Sequence, residues 1–175
     1  MSNNQADYFQ LFNLPEQYAI DVKLLEANFR KIQSASHPDR FVNAPASEKL
    51  ASMQQATLSN EAYGTLKNPA RRAKYLLERR GIDAVADTNT ALPMDFLMQQ
   101  MEWREQLDDA KQAKDIESLE RLYLQLRAEA KAMEANLGEL FDVTKDDVAA
   151  TELTRKLIFI DKVCADIQQA IEYLD

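Results

Sequence analysis

From residue 94 to the last residue, Asp175, the chain contains no proline and a single glycine, Gly138. Proline removes a backbone donor and glycine costs about 1 kcal/mol inside a helix, so a stretch nearly free of both has few places to turn. Long helices are the economical outcome. The whole chain has three glycines (Gly64, Gly81, Gly138) where average usage of about 7% would give roughly twelve. Glycine loops that cradle phosphates, such as the dinucleotide fingerprint or the P-loop, are therefore missing. The sequence predicts an all-α protein.

The five prolines (Pro15, Pro38, Pro45, Pro69, Pro93) all fall in the first part of the chain and divide it into shorter pieces. Residues 7–12 read as a brief apolar helix stopped before Pro15. Asp21 is suited to cap a second helix, in which Val22, Leu25, Phe29, Ile32 and Ser36 keep the 3/4 spacing of a buried stripe. His37-Pro38 ends it, and residues 37–47 form a loop. A third helix runs from about Glu48 to Lys67, with Leu50, Met53, Thr57, Asn60, Tyr63 and Leu66 on one side. A fourth starts at Pro69 and stops at Gly81.

Residues 81–93 lack helical period and read as a linker between a domain over 1–80 and another over 94–175. Two later segments carry heptad-like stripes. One is Ile116, Leu119, Tyr123, Leu126, Ala130, Met133, Leu137 and Leu140; the other is Leu153, Leu157, Ile160, Cys164, Ile167, Ile171 and Leu174. With the segment after Pro93 they predict a three-helix bundle of antiparallel neighbours. Thr144 with Asp147 resembles a capping box before the last helix.

Charge divides at the same place. The net charge is −8, but residues 1–80 hold 11 basic and 8 acidic residues (+3), and residues 81–175 hold 10 and 21 (−11). Two surfaces for two partners would produce this division, although plain solvation could too. The acidic total disfavours a nucleic-acid partner. MSNNQADYFQLF has no basic region leading into an apolar core, and no run approaches the length of a membrane span, so a cytoplasmic protein without membrane contact is expected. One cysteine and one histidine cannot build a disulfide or a His/Cys metal cluster, and no cofactor is expected. Cys164, on an apolar stripe, reads as a buried small hydrophobe.

Two features remain. The first is His37-Pro38-Asp39-Arg40, which a helical hairpin would present at one end, beside Lys23, Arg30 and Lys31 of the second helix. Proline fixes φ near −65° and lowers the ordering cost of binding. The plain alternative is that His37 and Asp39 only cap helix ends, His37 near C-terminal carbonyls. The second is a helical-wheel count of the segment after Pro93. With Leu97 at 0°, Phe96, Trp103, Leu107 and Ala110 cluster near 250°, a core stripe. Leu97, Met98, Met101, Glu102, Glu105 and Asp109 spread from about 0° to 140°, nearly opposite. Either the first domain covers this face or it is a docking patch of adaptable methionines and carboxylates. Phe159, about 120° from the last helix's core stripe, could border it or pack on a neighbouring helix.

The ordered set Asp7-Tyr8-Phe9, Phe29-Arg30-Lys31-Ile32, His37-Pro38-Asp39-Arg40, Asn60-Glu61-Ala62-Tyr63 and Arg72-Ala73-Lys74-Tyr75 resembles the J domain of DnaJ-type co-chaperones. Ser36 departs from it, since an aromatic residue is commoner there. Phe96-Leu97-Met98, Arg104-Glu105-Gln106-Leu107-Asp108 and Arg155 to Lys162 extend the likeness, over essentially the whole chain, to HscB-type co-chaperones of iron–sulfur cluster assembly.

The resemblance implies an N-terminal J domain, an antiparallel hairpin with short flanking helices. It would bind an HscA-type, DnaK-class chaperone and stimulate its ATPase through His37, Pro38, Asp39, Arg40, Lys23, Arg30 and Lys31. It also implies a C-terminal bundle that binds an IscU-type scaffold through Leu97, Met98, Met101, Glu102, Glu105, Asp109 and Phe159. The rivals are a J protein with another client and a hydrolase or metal protein using His37, Asp39 and the bundle carboxylates. No nucleophile–base pair is evident, so an enzyme is not expected.

Overall fold

The computed structural model describes residues 6–86 and 91–175. Residues 1–5, where a secretory signal would begin, and 87–90, the middle of the expected linker, lie outside the described residues. Among the described residues every regular element is helical. The helices are α1 Tyr8–Leu11, α2 Val22–Ala35, α3 Ala46–Lys67, α4 Pro69–Arg79, α5 Met94–Ala113, α6 Ile116–Gly138 and α7 Asp147–Leu174. A 3₁₀ turn occupies Pro38–Phe41 and a π-helical turn Glu139–Thr144. The chain divides into two compact units, 1–76 and 77–175, with the boundary inside α4.

In the first unit α2 and α3 form an antiparallel hairpin. Its register is set by Lys67 Nζ to Glu26 at 3.6 Å and by the Phe29 and Tyr63 rings, stacked 4.1 Å apart. Asp21 caps α2, accepting from the Leu24 N–H at 3.1 Å, as its position predicted. Asn28 Nδ2 donates to the Phe12 carbonyl at 2.7 Å, and the Tyr8 N–H donates to the Tyr75 hydroxyl at 3.0 Å under stacked rings. These bonds fasten the first turn of chain to α2 and α4. Arg72 is buried, its guanidinium lying over the Tyr18 ring and donating to the Leu66 carbonyl at 2.9 Å.

The apolar spacing selects only part of the buried face of α3: Leu66 is buried and Tyr63 stacks on Phe29. Ser52, Ser59, Ala62, Thr65 and Leu66 point inward, whereas Leu50 and Met53 are exposed. The Phe29–Tyr63 stack fills the hairpin at one level, and small residues of α3 face inward nearer the tip. In α2, Val22 at the helix start is likewise exposed, while Leu25 and Ser36 are buried.

In the second unit α6 and α7 run antiparallel, joined by Arg127 Nη1 to Asp161 at 3.2 Å and by Gln168 Nε2 donating to the Tyr123 hydroxyl at 3.1 Å. Of the predicted stripes, Leu119, Leu126, Ala130, Leu137, Leu157, Ile160, Cys164 and Ile167 are buried. Phe141, absent from either stripe, is buried as well because the π-helical turn swings it inward. Arg80 stacks over that ring and pairs with Asp147. The expected Thr144 cap is displaced by this extra turn: Asp146 caps α7, accepting from the Ala149 N–H at 3.0 Å.

Helix ends show how a glycine-poor chain turns. Gly81, φ 77°, closes α4 with Ile82 N–H to the Leu77 carbonyl (2.9 Å) and Gly81 N–H to Glu78 (3.0 Å). Asn13, Lys114 and Lys145 occupy the same left-handed region at φ 53°, 54° and 56°. Within the expected linker, Ala84 is fully buried, so that segment is packed before residue 87.

Candidate functional site

The hairpin tip is built by backbone stops. α2 ends where Ser36 N–H and Oγ both donate to the Ile32 carbonyl, at 3.0 and 2.8 Å, and Pro38 cannot continue a helix. His37, with extended backbone (φ −62°, ψ 135°), turns the chain into the Pro38–Phe41 turn and caps it. Its Nδ1 accepts the Asp39 N–H at 3.2 Å. It therefore caps the start of a new turn and not the carbonyl end of α2. While Nδ1 accepts that hydrogen bond it cannot donate to the Asp39 carboxylate 3.4 Å away.

His37, Pro38, Asp39 and Arg40 are all exposed, and so are Lys23, Arg30 and Lys31 on α2. Spacings of seven and eight residues place the three cations on one helical face. The tip thus joins a rigid turn to a basic stripe.

The second candidate surface lies on α5. Phe96, Trp103, Leu107 and Ala110 are buried, as the wheel count predicted. On the other side Leu97 is 38% exposed, Met98 64% and Met101 72%, with Glu102, Glu105 and Asp109 exposed around them. Met94, also 72% exposed, extends the stripe by one turn and is absent from the sequence-derived set. Its spacing of three and four residues from Leu97 and Met98 was the available signal.

Phe159 differs from these. It is half-buried, edge-on to Phe96 at 6.1 Å and stacked on Trp103 at 6.5 Å, with the Arg104 guanidinium 5.4 Å above it. It supports the joint between α5 and α7 and exposes only part of its ring.

No group of three or more metal-binding side chains occurs among the described residues, and no described helix is long and apolar enough to cross a membrane. Burial pushes the Cys164 thiol up.

A helical hairpin that presents His-Pro-Asp at its tip, followed by a separate helical bundle, defines a two-part J-domain co-chaperone. The comparisons agree. The family model for the HSCB C-terminal oligomerisation domain matches residues 92–168. The Co-chaperone protein HscB homologs of Paraburkholderia phymatum and Azoarcus sp. are 47% and 45% identical, covering 100% and 98% of this chain and 99% and 97% of theirs. Chaperone HscB from Vibrio cholerae superposes with a TM-score of 0.82 and 35% identity, over 97% of this chain and 100% of that one. Human co-chaperone protein HscB gives 0.85 and 26%, over 96% and 83%. The chain belongs to the HscB co-chaperone family.

Proposed function

We propose that the chain couples two partners in iron–sulfur cluster assembly. The first unit engages an HscA-type, DnaK-class chaperone through His37, Pro38, Asp39 and Arg40, with Lys23, Arg30 and Lys31 alongside, and stimulates its ATPase. The bundle carries an IscU-type scaffold on Leu97, Met98, Met101, Glu102, Glu105 and Asp109, bordered by Phe159. The functional boundaries are a J domain over 1–80, a linker over 81–93 and the scaffold-binding bundle over 94–175. The chain itself performs no chemistry in this reading, and it works in the cytoplasm.

One observation carries most of the weight: the His37 turn is exposed yet internally fixed. A turn whose proline and cap already hold it in shape loses little freedom on docking. The basic stripe next to it would attract an acidic surface and speed encounter. On α5, three large apolar side chains stand outside a helix whose core face is already occupied, which favours a protein partner.

The test is the chaperone's ATP hydrolysis rate. It should rise with this protein and rise further when scaffold is added. His37→Gln should abolish the stimulation while leaving the helical signal unchanged. Undiminished stimulation by a folded His37→Gln variant would remove the basis of the proposal.

A further inference from the structure

Half of the chain's six methionines stand within eight residues of α5: Met94, Met98 and Met101. Spacings of four and three residues line them up along one side of the helix, and all three are exposed. Leucine would supply nearly the same volume and helix propensity at these positions. What a thioether adds is a flexible, polarisable sulfur that an oxidant can reach.

Elsewhere in the bundle sulfur is shielded. The chain's one thiol, Cys164, is buried and held in its protonated form, which makes it a poor nucleophile. Met133 on α6 is half-buried. The other exposed methionine among the described residues, Met53, lies on α3 in the first unit. The α5 stripe also stands clear of the core, because Phe96, Trp103, Leu107 and Ala110 anchor the helix on its opposite side. Oxygen added to the stripe would therefore change the surface and spare the packing.

We infer that Met94, Met98 and Met101 form a reversible oxidation site through which a peroxide switches off scaffold docking. The inference rests on the scaffold-binding role proposed for this face and adds regulation to it. The thioether sulfur attacks one peroxide oxygen, the O–O bond breaks as the S–O bond forms, and the second oxygen leaves as water once a proton has moved to it. Sulfur is oxidised by two electrons and the peroxide is reduced by two. A sulfoxide reductase reverses the change: two thiols give up two electrons and two protons as they join in a disulfide, and the sulfoxide oxygen leaves as water. The sulfoxide accepts hydrogen bonds and donates none. Beside Glu102, Glu105 and Asp109, oxygens would then stand where apolar side chains stood, and a partner shaped for an apolar stripe would bury them unpaired.

The purified chain is treated with hydrogen peroxide, the excess is removed with catalase, and the chain is titrated calorimetrically against an untreated IscU-type scaffold. Peptide masses should show oxygen gained at the three stripe positions before Met133. Kd should rise at least about tenfold, and should recover after treatment with the two reductases specific for the sulfoxide epimers. The effect is read as the ratio of treated to untreated Kd, so a variant's starting affinity does not enter. Met94→Leu/Met98→Leu/Met101→Leu should give a ratio near one, and Met53→Leu should give the full ratio. If the triple variant binds too weakly to titrate, recovery of oxidised Met53→Leu by the reductases decides the matter.

An oxidised stripe with unchanged Kd overturns the inference, as does a stripe that stays reduced while Met133 is oxidised. An equal ratio in the triple leucine variant overturns it too. So does a fall in the thermal midpoint that accompanies the loss of affinity, because that marks damage to the fold. Untreated Met98→Ala/Met101→Ala separates the two levels. If it binds scaffold as the wild type does, the docking face itself fails; if it binds weakly while the oxidised wild type binds normally, only the switch fails.

Discussion

Replacing Met98 and Met101 together by alanine separates docking from folding, because the two side chains contribute little to the folded unit. They are 64% and 72% exposed, and the helix they stand on is anchored by Phe96, Trp103 and Leu107 on its other face. Full burial of a methionine side chain contributes about 1.5–3 kcal/mol. Scaled by the area still open to a partner, each position offers about 1–2 kcal/mol. Side chains one turn apart share their neighbours and do not add fully, so the double variant should lose about 2 kcal/mol of binding, roughly thirtyfold in Kd. Calorimetric titration against an IscU-type scaffold measures this directly, with the thermal midpoint of the variant as control. The midpoint should not move. Phe159→Ala supplies the contrast: it removes a ring packed on Phe96 and Trp103, and should cost about 2 kcal/mol of stability as well as affinity. Unchanged scaffold affinity in a folded Met98→Ala/Met101→Ala variant would refute the assignment of this face.

Further outcomes follow from particular positions. Lys114→Gly relieves a lysine held at φ 54° at the end of α5 and should stabilise the bundle by about 1 kcal/mol, read by denaturant unfolding. The Thr154 hydroxyl is fully buried without a hydrogen-bond partner among the described residues. Thr154→Val should therefore raise stability by about 1 kcal/mol, whereas Thr154→Ala should lower it by opening a cavity. Burial holds the Cys164 thiol in its protonated form, so thiol reagents at neutral pH should modify it only after unfolding; rapid modification of the native protein would contradict its placement.

Where local chemistry dictates the outcome, the sequence was sufficient. Asp21 caps α2, Gly81 closes α4, and Phe96, Trp103, Leu107 and Ala110 turn inward, because capping, left-handed turns and helical period depend on residues within a turn or two. The exposure of the His37 turn was legible for the same reason: two prolines and a histidine between helices leave little alternative. Scarcity of glycine beyond Pro93, where Gly138 stands alone, led to long helices, though it did not show that Lys114 and Lys145 would take the positions glycine usually fills.

Tertiary packing decided the rest. In α3 the apolar spacing places Tyr63 and Leu66 on the inner side but also Leu50 and Met53, where Ser52 and Ser59 turn inward instead, because no spacing within α3 reports what each turn packs against. The π-helical turn, with Phe141 buried in it and Asp146 in place of Thr144 as the α7 cap, is contacted by Arg80, distant in sequence. Phe159 sits at an angle that fits either a surface or a neighbour, and only the positions of Phe96 and Trp103 settle it as partly packed. Local hydrogen bonding and period set what each segment becomes, and contacts between distant segments set which of its faces is left for a partner.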